Sequence, residues 1–339
     1  MCSSDLYAGN QSGATKRFNT SGRSMDYSFP AHVRVADFDG DGYADRLYAA
    51  DIGGQIWRFD VYNGQPASSL ITGGVIAQLG GAPAANPPLT DVRRFYYAPD
   101  IAVVNTRTEN FIHIGIGSGH REHPLSTSNN DRFYALRDYN VGPLTQAQYD
   151  ALTITTDSRL VPVTTVNTTV PHGSPGWRLD LNIGGSSGEK VLAEARTYNN
   201  HVIFSTFMPS TGSNSCQPQI GINRIYEMNI FNGSPVQNLD GSAEPTTLTM
   251  SDLFTQHEGG ILPAAQTLFL GPDKNGDGIP DSEQTAPAGS PLLDANGNPI
   301  ITNAQQAGDS PTECVGLICF PAGYRNVPVR TFWTQRSLD

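Results

Sequence analysis

HVRVADFDGDGYADRLYAADIGGQIWRFDVYNG, residues His32 to Gly64, holds an acidic turn between strand-like segments. HVRVA (32–36) and DRLYAAD (45–51) carry β-branched and aromatic residues with no helical period, so both read as strands. GGQIWRFDVYNG (53–64) is a further strand, rich in aromatics and closed by Asn63-Gly64, a pair that tolerates the positive φ of a tight hairpin. The stretch therefore predicts an antiparallel all-β fold with a functional loop set into it.

Inside the turn, ADFDGDGYAD (36–45) places Asp37, Asp39, Asp41 and Asp45 close together. Two carboxylates at contact distance repel by roughly 4 kcal/mol at an effective dielectric of about 20. Full solvation or a bound cation relieves that repulsion. Hard oxygen donors at alternate positions suit Ca²⁺, and Gly40 and Gly42 let the backbone turn tightly enough for the donors to converge. Asp37, Asp39 and Asp41 are expected to supply side-chain oxygens, Tyr43 its backbone carbonyl, and Asp45 the closing carboxylate. The opening resembles an EF-hand loop, but position twelve, a bidentate Glu in that motif, is Tyr48. With strands rather than helices on both flanks, the prediction is a strand–loop–strand calcium site. The alternative is a solvated acidic turn.

The bulk properties narrow the function. The chain has 339 residues, a formal net charge of −11, and only three lysines, Lys16, Lys190 and Lys274. Such a balance argues against nucleic acid and anionic membrane surfaces as partners. Gly and Pro make up about 17% of the chain, against an average of about 12%, which suits a turn-rich β protein. No segment is apolar for long enough to form a transmembrane helix. Residues 1–6, MCSSDL, lack the apolar core of a signal peptide and resemble a translated sequencing adapter. The chain then reads as a fragment, residues 7–339 forming part of one domain, with a signal peptide expected upstream.

Three runs share one pattern: GGQIWRFDVYNG (53–64), DRFYALRDYN (131–140) and INRIYEMNIFNG (222–233). Each is an aromatic-rich strand ending in a polar turn, and the pattern resembles strands of quinoprotein-type β-propeller blades. Their spacing exceeds one blade of about 40 to 50 residues. Each interval must hold two blades, or one blade with an insertion. Further strands are expected at 110–119, 176–181, 190–198 and 200–209, and one short helix over Thr145 to Leu152, capped by Thr145. The fold expected is a modified propeller with an incomplete set of blades and insertions near 141–172 and 271–313. Cys314 and Cys319 could form a local disulfide, and Cys216 could pair with either.

A second acidic loop, DKNGDGIPD (273–281), repeats the spacing with Asp273, Asn275, Asp277 and Asp281, and Ile279 would offer its carbonyl. It resembles the loops of dockerin and thrombospondin-type calcium repeats. The alternative is again a solvated turn.

The blocks SFPAHVRVADFDGDGYADRLYAADIGGQIWRFDV (28–61), RFYYAPDIAVV (94–104), IGIGSGHREHPLSTSNNDRFYALRD (114–138), GWRLDL (176–181), EKVLAEARTYNNHVIFSTFMP (189–209), RIYEMN (224–229) and FWTQ (332–335) resemble, in content and order, the PilC/PilY family of type IV pilus tip-associated and biogenesis proteins. That resemblance implies a modified β-propeller whose calcium ligands map onto Asp37, Asp39, Asp41, the Tyr43 carbonyl and Asp45. It further implies export to the cell surface, the pilus tip or the outer membrane. Pilins and host or abiotic surfaces would be the partners. Calcium occupancy would be tied to pilus extension against retraction, with roles in attachment and twitching motility. The loop at 273–281 is not a hallmark of the family.

Other chemistry is weaker. His120 and His123 in GHREHP have metal-like spacing, but no third ligand and no helical face aim the rings together. A quinoprotein dehydrogenase would need a cofactor site beside its calcium, and the acidic turn leaves few ligand positions for one. An integrin-like calcium propeller would repeat the loop in several blades, whereas one strand-flanked copy occurs. GIGSGH (115–120) follows a strand and enters a polar loop, which is poor context for phosphate. No catalytic residues are assigned, and Trp57, Trp177 and Trp333 read as blade-packing residues.

Overall fold

A computed structural model describes residues 25–80, 91–185, 188–210, 221–240, 247–268, 312–315 and 318–321. The loop at 273–281, the segment 285–311, Cys216, residues 1–6 and Trp333 lie outside the described residues.

The chain divides into two compact units, the first running to Ala264 and the second from Ala265. The first begins with β1 (Arg34–Ala36), β2 (Arg46–Ala50), β3 (Gln55–Val61) and β4 (Ile71–Gln78), an antiparallel meander. A second sheet starts with β5 (Asp100–Asn105), β6 (Asn110–Gly117) and β7 (Arg132–Asp138). The chain then passes through a short helix α1 (Gln146–Asp150), β8 (Thr155–Thr156) and β9 (Val161–Pro162) before β10 (Gly176–Asp180) completes that sheet. The third sheet comprises β11 (Lys190–Val191), β12 (Arg196–Tyr198), β13 (His201–Met208), β14 (Ile222–Asn229) and β15 (Phe254–Glu258). With β8 joining the first sheet and β9 the second, these are three five-stranded blades, and the fold is all-β and propeller-like.

The three aromatic runs occupy one equivalent place. They are β3, β7 and β14, the third strand of each sheet, paired on both sides. Each interval therefore holds one blade plus an insertion. The insertion at 141–172 explains the length of the second interval and serves two blades at once. Its β8 adds in parallel to β4, and its β9 adds in parallel to β10.

Strand alternation builds the layers. In β6, Ile112, Ile114 and Ile116 join the core shared with Tyr48 and Ile56 of the first blade. Phe111 faces the other way, into the core shared with Trp177, Phe204 and Tyr226. Phe133 stacks on Phe204 at 3.8 Å between ring centroids, and Phe204 on Tyr226 at 4.8 Å, tying the second blade to the third. Trp57 and Trp177 are fully buried, and their indole N–H groups donate to Asp51 and to the Ile230 carbonyl. Burying side chains of this size contributes roughly 1.5–3 kcal/mol each.

The expected helix forms, with Thr145 and Gln148 making a reciprocal capping box. Two expectations need correction. Residues 190–198 form two short strands, β11 and β12, rather than one, because both pair with β13 in separate registers. Asn63-Gly64 does not close a tight hairpin: Tyr62 N–H bonds the Leu70 carbonyl across a wider loop, in which Ser69 turns back on Pro66. Asn232-Gly233 does turn tightly, with Gly233 at φ 69° and Met228 bridged to Pro235.

The second unit shows β16 (Gln266–Leu268), β17 (Thr312–Val315) and β18 (Ile318–Pro321) as one antiparallel sheet. Its register sets Cys314 opposite Cys319. Directly opposed residues lie about 4.5–5.5 Å apart at Cα, within disulfide range. No described helix is long and apolar enough to cross a membrane.

Candidate metal centre

The acidic turn is the β1–β2 connection, as the flanking pattern predicts. The Asp45 N–H bonds the Ala36 carbonyl at 2.9 Å and closes its base, so residues 37–44 project from the blade. Gly40 and Gly42 adopt φ of 78° and 90°, left-handed values that favour glycine.

Within the loop the carboxylates organise the backbone. Asp37 accepts from the N–H groups of Gly40 at 2.7 Å and Gly42 at 2.9 Å. Asp45 accepts from Phe38 N–H at 2.6 Å and Asp39 N–H at 3.3 Å. Asp39 accepts from Asp41 N–H, and Asp41 from Tyr43 N–H. Asp37, Asp39 and Asp45 each bring one oxygen within 4.8 Å of the others. Three converging carboxylate oxygens are the hard donor chemistry that Ca²⁺ takes. Asp41 stands outside that trio, its carboxylate turned to the Tyr43 N–H, and Tyr43 is exposed.

The loop is linked to the blade interior through residues the sequence did not single out. Phe38 packs against the core between the first and second blades. Its ring lies under the Arg46 guanidinium, 4.9 Å from centroid to Cζ. Arg46 is buried and bonds Asp60 at 2.5 Å and the Val141 carbonyl at 2.9 Å. Asp60 also accepts from Arg58, Tyr149 and the Leu144 N–H. Asn63 reaches back from the next turn to the Ala44 carbonyl at 3.2 Å. A distinguishing signal was available: Asp45 is followed directly by an arginine at the start of a strand, and a cation there needs an acidic partner.

GHREHP behaves differently. The His120 and His123 rings meet edge to face at 4.7 Å, and His120 lies 3.9 Å from Glu122. Among the described residues, the Asp37, Asp39 and Asp45 trio is the group of three potential ligands that converges, and the histidines do not join one. The glycines of GIGSG are explained by packing. A Cβ on Gly117 would meet Val191 Cγ2 at 2.2 Å, and one on Gly119 would meet the Val191 carbonyl at 2.4 Å. They let the second blade approach the third closely.

Comparison with known proteins points one way. No family model matches the chain. It is 23% identical, over 321 residues, to a type IV pilus biogenesis factor PilY1 homolog from Xylella fastidiosa (strain Temecula1 / ATCC 700964). That match covers 87% of this chain and 21% of the relative, so the chain spans about a fifth of the relative's length. The crystal structure of the Pseudomonas aeruginosa PilY1 C-terminal domain matches with a TM-score of 0.50 and 16% identity, over 86% of this chain and 60% of that one. The chain thus resembles the PilY1 C-terminal domain, the structural match carrying the fold alone.

Proposed function

We propose that this chain is a calcium-binding propeller segment of a type IV pilus biogenesis protein, exported and displayed at the cell surface or pilus tip. The convergence of Asp37, Asp39 and Asp45 on the β1–β2 turn carries the calcium reading. The likeness to PilY1 proteins supports the pilus reading. The first site would be held by Asp37, Asp39 and Asp45, with Asp41 and the Tyr43 carbonyl completing it. Asp273, Asn275, Asp277, Asp281 and the Ile279 carbonyl would form a second site of the same kind. The reading is non-enzymatic: the buried carboxylates Asp60 and Glu189 are each engaged by arginine and tyrosine side chains that fasten the sheets.

A bound Ca²⁺ would supply the positive charge that offsets the repulsion of the clustered carboxylates. The chain's residues do the rest. Asp45 fixes the Phe38 N–H, Phe38 supports Arg46, and Arg46 engages Asp60 in the core. Ordering of the exposed loop is thereby coupled to the junction of the first two blades. A ligand that binds the ordered loop and not its alternatives stabilises that state by RT ln(1 + [L]/Kd). With an affinity of about 10⁻⁴ to 10⁻³ M, common among extracellular modules, occupancy would follow environmental calcium. The ordered state would then favour contacts with pilins or surface ligands, biasing pilus extension against retraction and, through it, attachment and twitching.

Calorimetric titration of the purified chain with Ca²⁺ tests the site. Wild type should show a binding event that Asp45→Ala lacks, the second loop titrating alike in both; equal titration of both ends the assignment. Asp45→Ala in the full-length gene should change twitching or surface piliation. Unaltered motility with the site demonstrably empty would separate calcium binding from the pilus role.

A further inference from the structure

A second surface feature lies apart from the acidic turn. A cleft of about 520 Å³ opens beside the loop following β6, lined chiefly by Arg94, His120, His123, Leu125, Ser126 and Ser128. We propose that this cleft recognises a carboxylate carried on a peptide segment of a partner protein.

The Arg94 guanidinium is the central observation. It lies partly buried at the cleft and makes no hydrogen bond or ion pair with any described residue. Nearly every other guanidinium of the three sheets is engaged: Arg46, Arg58, Arg132, Arg137 and Arg224 each hold a carboxylate. A free, planar, five-donor fork facing a cavity matches the bidentate geometry of a carboxylate. His120 and His123 add two imidazoles beside it, and the Ser128 hydroxyl has no partner among the described residues.

The surroundings favour an anion over a cation. Lys190 sits behind the loop with its ammonium on the carbonyls of Pro124 at 2.7 Å and Ser126 at 2.9 Å, and on that of Gly188. Its charge and that of Arg94 both oppose a metal ion at the histidines. Among the described lining residues Glu122 is the acidic one; it is mostly exposed and turned to His120 and Tyr96. Asp131 lies buried behind, bonded to Ser118 at 2.7 Å. Arg121 points elsewhere, over the Tyr97 ring. In a chain of net charge −11, this is a local positive focus.

The loop is also prepared in advance. Besides the Lys190 clamp, His123 N–H bonds the His120 carbonyl, Ser126 N–H bonds the His123 carbonyl, and Asn129 anchors to the Val92 carbonyl at 3.0 Å. Little ordering would remain to be done on binding. A peptide is favoured over an acidic sugar by the wall. Leu125 is 59% exposed next to Pro124, and no described tyrosine, tryptophan or phenylalanine lines the cleft as a platform for a sugar.

The test uses the purified chain with ¹³C-labelled histidine and four fluorescein-labelled octapeptides. The peptides carry a free C-terminus, a Glu side chain, both, or neither, the last being amidated with Gln. Carboxylate peptides should bind saturably by anisotropy and shift the His120 and His123 resonances, and the neutral peptide should not. The free-terminus and Glu peptides distinguish a terminal from a side-chain carboxylate. Arg94→Gln, which removes no internal partner, should weaken binding about tenfold or more, as expected for a charged hydrogen-bond pair. His123→Gln, at an exposed position, provides a second variant with the same expected direction. The proposal is overturned by any of several results: no probe binds, binding survives Arg94→Gln undiminished, inorganic phosphate matches the peptides, or an oligogalacturonate binds where the peptides do not.

Discussion

The guanidinium of Arg58, in the third strand of the first blade, donates to the carboxylate of Asp138, at the end of the third strand of the second, over 2.7 Å. Arg58 is fully buried and continues to the carbonyls of Asn140 at 2.6 Å and Gly142 at 2.7 Å. One blade on, Arg137 reaches the Phe231 carbonyl at 2.5 Å from the corresponding strand. The same device, an arginine of the third strand reaching the turn after the next third strand, fastens both junctions.

Arg58→Met should therefore destabilise the chain by about 3–5 kcal/mol, because it leaves Asp60 and Asp138 short of a buried counter-charge. Urea denaturation measures this. A loss under about 1 kcal/mol would mean that the junction is held by the apolar core alone.

Gly117→Ala should cost about 1–3 kcal/mol through overpacking, since its Cβ would run into Val191 of the third blade. Gly142→Ala, with nothing near its would-be Cβ, is the control and should be close to neutral in the same melt.

Acid should act through His113. It is fully buried on β6, neither ring nitrogen has a hydrogen-bond partner among the described residues, and burial, reinforced by Arg137, holds its pKa down to about 3. The unfolded chain takes up that proton near the ordinary value of about 6.5. Below that pH the unfolded state binds more protons, so the contribution of His113 falls as pH drops from about 6.5 towards 3. Asp51 and Asp131 act with the opposite sign. Burial raises each to about 6, so each costs stability above that pH and the cost is relieved on acidification towards about 4. His113→Leu should flatten the acid loss and leave the aspartate effect visible, with stability rising as pH falls from 6 to 5. Parallel pH profiles for the two proteins would refute the assignment.

Calcium on the first loop should stabilise wild type by about 2.7 kcal/mol at a hundred times Kd and raise its melting temperature accordingly. In chelator, Asp45→Ala should already be less stable than wild type, because Asp45 holds the Phe38 and Asp39 N–H groups. Asp39→Ala, whose exposed carboxylate accepts among the described residues only from Asp41 N–H, should match wild type in chelator and lose only the first loop's calcium increment. Equal behaviour of the two variants would deny Asp45 its separate structural role.

Much of this was legible in the residues themselves. Alternation and aromatic content marked β3, β7 and β14 because a strand's side-chain period is local, and the Thr145 cap marked α1 for the same reason. The acidic turn was readable because repulsion among near neighbours in sequence is fixed by their spacing. Contacts between blades were not readable. Nothing in the order of residues pairs Arg58 with Asp138, separates Asp41 from the trio that converges, or sets Val191 against Gly117. Nor does it leave Arg94 without a partner while other arginines find one. Those relations join residues distant in the chain, and only the stacking of one sheet on the next decides them. The sequence by itself determined which strands form and where a cation could sit. The tertiary structure decided which charges are spent on holding the blades together and which remain free to meet a ligand.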